Sequence, residues 1–134
     1  MKIKTIIKIS IALLFLQLLP LLISYFSPEF KLALITESFG KTPSQDAVKI
    51  FDLFSLVVGL MGIAICFLMY GVLKFTDLVI LRRLSFLFFV LMGFFALPDL
   101  IGAIKGDPTA PLPVIVLNLA MIVLLLYGSK KGTV

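Results

Sequence analysis

Four long apolar runs dominate the chain: Ile9 to Phe26, Leu53 to Leu73, Leu84 to Ile104 and Leu112 to Tyr127. A helix needs roughly 20 apolar residues to cross the hydrocarbon of a bilayer, and each run approaches that length. Water is a poor solvent for such a chain. It has 134 residues, 61% of them hydrophobic, with a mean hydropathy of +1.21, and a soluble fold of this size keeps too much of its area exposed to hide them. In lipid, a spanning segment must satisfy its own backbone hydrogen bonds, so each run reads as a helix. The sequence predicts an all-α fold: a single transmembrane domain over residues 1–134, a four-helix bundle with spans near 6–26, 53–73, 84–104 and 112–128.

The first span imitates a signal peptide, because Lys2, Lys4 and Lys8 precede its apolar core. No small-residue cleavage site follows, since the run ends Ile23-Ser24-Tyr25-Phe26-Ser27-Pro28, and the core exceeds a usual signal core. It is read as a retained helix. Orientation then follows from the basic residues. Lys2, Lys4, Lys8, Lys74, Arg82, Arg83, Lys130 and Lys131 fall on one side of the four spans; Lys31, Lys41, Lys49 and Lys105 fall on the other. The richer side is assigned to the cytoplasm, which makes the chain a multi-pass cell-membrane protein with both termini cytoplasmic.

The connections carry their own signals. Ser27-Pro28-Glu29 offers a cap, a proline in the first helical position and an acid near the positive helix end. It predicts a short interfacial helix, with Phe30, Ala33, Leu34 and Phe39 towards lipid and Gly40 as its stop. Thr42-Pro43-Ser44-Gln45 predicts the start of the second spanning helix, Thr42 capping and Gln45 in the capping-box position, with the helix running to about Lys74. Thr76-Asp77 opens the third, with Arg82 and Arg83 as interface anchors. Pro108, Pro111 and Pro113 mark the start of the fourth.

Several functions are disfavoured at once. The chain has no histidine and one cysteine, Cys66. Imidazole ligands, Ser-His-Asp or Cys-His catalysis and dithiol chemistry therefore have no residues to use. No cofactor, no metal and no enzymatic activity is expected. The net charge of +5 resides at span ends, so it does not read as a nucleic-acid surface.

Small and polar residues within the spans define inward faces. On the second spanning helix Asp52, Ser55, Gly59, Gly62 and Cys66 share one side; Ser55, Gly59, Gly62 and Cys66 read as a close-packing stripe, the device that joins helices where lipid removes the hydrophobic drive, and a ligand groove along this side is the alternative. The first span offers Ser10, Leu13, Gln17, Pro20 and Ser24. The third offers Ser85, Phe89, Met92, Ala96, Asp99 and Ala103, and the fourth Val114, Asn118, Met121, Leu125 and Gly128.

Asp99 stands out, because an acid within a span is costly and normally turns inward to a partner. Asn118, Asp52, Ser24 and Gln17 are its candidate companions in the outer half, with Lys49 or Lys105 to neutralise an acid there. Three readings stay open: an interhelical hydrogen-bond clamp, an outward-facing pocket for a small molecule or lipid headgroup, and proton or ion coupling. In the pocket reading Asp99→Asn abolishes function and spares the fold; in the clamp reading it abolishes accumulation.

A first span ending in Ser27-Pro28-Glu29, glycines in the second spanning helix, the Arg82-Arg83 pair before the third and an acid late in it together resemble the DoxX-like group of small four-helix membrane proteins. That resemblance implies the same architecture and an accessory role beside membrane redox enzymes, and it supplies no catalytic residue. Small multidrug transporters differ, since their first helix carries a glutamate where this chain has Gln17. The reading that leads is an accessory or structural subunit of a membrane complex, partnered by the bilayer and by another membrane protein or a second copy. The alternative is a small-molecule or lipid binder, or a transporter, with a polar pocket around Asp99.

Overall fold

The computed structural model describes residues 1–39, 44–106 and 110–134. Five helices follow in order: α1 (Ile3–Phe26), α2 (Pro28–Phe39), α3 (Gln45–Val72), α4 (Leu78–Lys105) and α5 (Leu112–Lys131). Four of them, α1, α3, α4 and α5, are long and apolar enough to cross a membrane. The chain is a small multi-pass membrane protein built as a four-helix bundle with one short additional helix.

Local chemistry sets the helix starts. The Ser27 hydroxyl accepts from the Phe30 N–H at 3.3 Å, and the Asp77 carboxylate accepts from the Ile80 N–H at 3.0 Å, each satisfying a donor that a helix start leaves open. The cap of α3 is Ser44, which accepts from the Ala47 N–H at 3.2 Å. It is not Thr42, and Gln45 is consequently the first helical residue rather than the capping-box partner. Thr42, Pro43 and Gly40, like Pro108, lie outside the described residues. Gly106 ends α4 in the left-handed conformation at φ 79°, which glycine adopts without a Cβ clash. Pro111 caps α5 and Pro113 occupies its first turn, where a missing N–H has no consequence.

In cross-section the spans form an arc in the order α3–α1–α5–α4. α1 packs on α3 on one side and α5 on the other, and α4 packs on α5. α3 and α4 share no extended interface, although a short turn joins them. Only 17–28% of the apolar stretch in each span is fully buried, so much of each helix's apolar surface is left on the outside of the bundle and the few inward positions carry the specificity. The inward faces expected from the sequence are largely the observed ones. Ser10 and Ser24 of α1, Ser55 and Gly62 of α3, Ser85, Met92 and Ala96 of α4, and Asn118, Met121, Leu125 and Gly128 of α5 are all buried.

Close approach is concentrated at particular small residues. A Cβ at Gly62 would stand 2.7 Å from Leu18 Cδ1, and one at Gly128 would stand 2.7 Å from Ser85 Oγ. Gly59, expected in the same stripe, does not take part: a Cβ there would meet nothing within 4 Å. Beside Gly128, the buried Ser85 hydroxyl donates to the Leu125 carbonyl at 2.8 Å, tying α4 to α5. Ser85→Ala is expected to destabilise the α4–α5 pair by about 0.6 kcal/mol, the usual worth of one such bond in a membrane, read as a shift in the detergent unfolding equilibrium.

The two ends of the bundle differ. At one end the termini pair: the Ile3 N–H donates to the Thr133 carbonyl at 2.8 Å and the Thr133 N–H to the Met1 carbonyl at 3.3 Å. Arg82 closes the same end by donating from Nε and Nη2 to the Gly132 carbonyl at 3.1 and 3.0 Å. At the opposite end α2 folds back on α1 and α3. It does not simply rest on lipid, because Ile35, outside the expected lipid face, is 1% exposed.

Candidate functional site: a crevice between the third and fourth helices

Because α3 and α4 share no extended interface, a crevice of about 640 Å³ opens between them, floored by α1 and α5. It occupies the half of the bundle nearer α2, which contributes Leu34 to its lining. The walls are mostly apolar: Phe54, Val58 and Met61 from α3, and Leu91, Phe94 and Phe95 from α4. Phe54 and Phe94 are 62% and 68% exposed, so the crevice opens sideways towards lipid. Its volume falls within the range of small-molecule sites, roughly 300–1,000 Å³.

Among the described residues, three polar side chains line this apolar space: Gln17 of α1, Asp99 of α4 and Asn118 of α5. The Nε2 of Gln17 and the Oδ1 of Asn118 are buried and make no hydrogen bond within the described protein. One is a donor and the other an acceptor. A buried polar atom without a partner costs roughly 1–3 kcal/mol, and the two residues that carry these atoms line one cavity, so a turn of either amide would present it to a molecule that both donates and accepts.

The other expected members of the cluster are engaged elsewhere. The Ser24 hydroxyl is buried but donates to the Leu21 carbonyl of its own helix at 2.7 Å. Asp52 pairs with Lys31 of α2 at 2.6 Å, while the Tyr25 hydroxyl donates to the Asp52 main-chain carbonyl at 3.4 Å. The cation that neutralises Asp52 is therefore Lys31. Lys49 lies 3.9 Å from Asp46 on the exposed start of α3. The α2 fold-back, which the sequence did not announce, brings Lys31 to Asp52. Of the stripe residues, Gly62 lines the crevice, Ser55 is buried with its hydroxyl unpartnered, and Cys66 is half-buried against the core.

The Lys31–Asp52 pair is partly exposed, so its contribution is modest. Lys31→Ala is expected to cost about 0.5 kcal/mol in global stability, within the range of solvent-accessible ion pairs. It should nevertheless loosen α2, raising hydrogen exchange over Pro28–Phe39 selectively.

Comparison with known proteins found no matching family model, no similar curated protein and no similar solved structure.

Proposed function

We propose that this protein holds one amphipathic small molecule or lipid in the crevice between α3 and α4, with the apolar part along Phe54, Met61 and Phe94 and a hydroxyl- or amide-bearing head between Gln17 and Asn118. The observation that carries this reading is a buried, unpartnered donor and a buried, unpartnered acceptor on two residues that line the same apolar cavity. Asp99 stands on the wall of the same cavity. The molecule would enter laterally from the membrane, through the side that α3 and α4 leave open.

The missing α3–α4 interface favours a second reading, in which a helix of another membrane protein or of a second copy fills the gap and the chain is an accessory subunit. The DoxX-like resemblance belongs with that reading. In both cases the charge bias supports a cell-membrane location with the paired termini in the cytoplasm.

A photoreactive phenylalanine analogue at Val58, inside the crevice, tests the proposal against Phe67, which is 77% exposed on the same helix. A specific lipid-sized adduct at position 58 and only bulk lipid at 67 is expected. A protein-sized adduct at 58 would favour the subunit reading, and equal bulk-lipid labelling at both positions would overturn the binding reading.

A further inference from the structure

At the end that carries both termini, away from the crevice, a second hollow of about 400 Å³ lies between the first turns of α1 and the end of α3. Lys4, Lys8, Lys74, Tyr70 and Leu73 line it. Lys4 and Lys8 stand four residues apart and so share one side of α1, while Lys74 follows the last turn of α3. None of the three ammonium groups makes an ion pair with any described residue, and no acid among the described residues lines the hollow. Three cations supplied by α1 and by the end of α3 line one hollow and concentrate positive potential there. α1 adds to the field, because its N-terminal end is the positive one.

We propose that this hollow is a binding site for a phosphate-bearing anion. The three ammonium groups would clasp the phosphate oxygens and the Tyr70 hydroxyl would donate to one of them. Both helices are spans, and the hollow lies where they end, which is headgroup level. Leu73 supplies an apolar wall beside the charged groups, matching the junction between a phospholipid headgroup and its chains. The same chemistry would accept a soluble phosphate arriving from the aqueous side.

The test uses the full chain in detergent, titrated with short-chain phosphatidylglycerol, phosphatidylcholine or inorganic phosphate and read by native mass spectrometry. Lys8→Gln with Lys74→Gln removes two of the three charges at exposed positions. Lys130→Gln with Lys131→Gln removes the same charge at the same end, outside the hollow. The hollow variant is expected to lose about tenfold or more in phosphatidylglycerol affinity, since each basic residue contributes on the order of a fivefold factor at a membrane surface, while the control variant stays near wild type. If inorganic phosphate binds with the same dependence on Lys8 and Lys74, the soluble source is identified; if only the lipid does, the headgroup is. Equal losses in the two variants, or phosphatidylcholine binding as tightly as phosphatidylglycerol, would overturn the proposal.

Discussion

Replacing Gln17 and Asn118 together by leucine is expected to stabilise the empty protein and abolish its response to ligand. In the empty crevice the Gln17 Nε2 and the Asn118 Oδ1 are shut away from water with no partner. Leucine has a comparable volume and no polar atom to desolvate. Relieving the two unpaired atoms should raise stability in detergent by about 1 kcal/mol, a conservative share of the penalty for two unmet hydrogen bonds. A bound amphiphile raises the wild-type unfolding midpoint through mass action, and the double variant should show no such rise. The measurement is the midpoint with and without membrane lipid extract. A structural clamp would give the opposite sign, a lower midpoint in the double variant whatever was added.

The second large effect belongs to Gly62. Its missing side chain is the space that Leu18 occupies, with Cδ1, Cδ2 and Cγ at 2.7, 2.8 and 3.2 Å from where a Cβ would stand. The far end of Leu18 has some freedom to rotate away from an alanine. Valine adds two more carbon atoms on a stiff branch point and forces α1 and α3 apart. Gly62→Val is expected to cost about 2 kcal/mol, the middle of the range for overpacking, and to deform the crevice, because Leu18 and Gly62 both line it. Gly59→Ala, one turn away, should be neutral or slightly stabilising: a Cβ there would meet no neighbouring helix within 4 Å, and alanine favours a helix by roughly 1 kcal/mol over glycine. Equilibrium unfolding of the three variants reads both effects, and equal destabilisation by Gly59→Ala would show that the stripe packs as a whole.

The contrast between Gly59 and Gly62 shows how far a sequence of this kind can be read. The spans were legible because lipid imposes one solution on long apolar runs, and the inward faces were legible because small and polar residues are rare enough within them to mark a side. Ser10, Ser85, Met92, Asn118 and Gly128 are buried as their spacing implied. Which residue of a face touches a neighbour depends on where helix axes cross, and no periodicity records that, so Gly59 and Gly62 looked alike. Gln17, Asp99 and Asn118 were legible as candidates by their polarity alone. Ser24 and Asp52 were not separable from them, since Ser24 bonds within its own helix and Asp52 is taken by Lys31 only because α2 folds back. The clasp of Arg82 on the Gly132 carbonyl and the pairing of the termini join residues far apart in the chain through main-chain atoms, which leave no signature in side-chain identity. The gap between α3 and α4 was equally hidden, because the lining of a crevice and a lipid-facing surface draw on the same apolar residues.

The most direct measurement is native mass spectrometry of the protein released gently from its own membrane. A single retained amphiphile on the wild-type chain is expected, absent when Gln17 and Asn118 are leucine while loosely held lipids remain the same. A wild-type chain carrying nothing beyond those loosely held lipids, or an adduct kept equally by the double variant, would contradict the crevice as a ligand site.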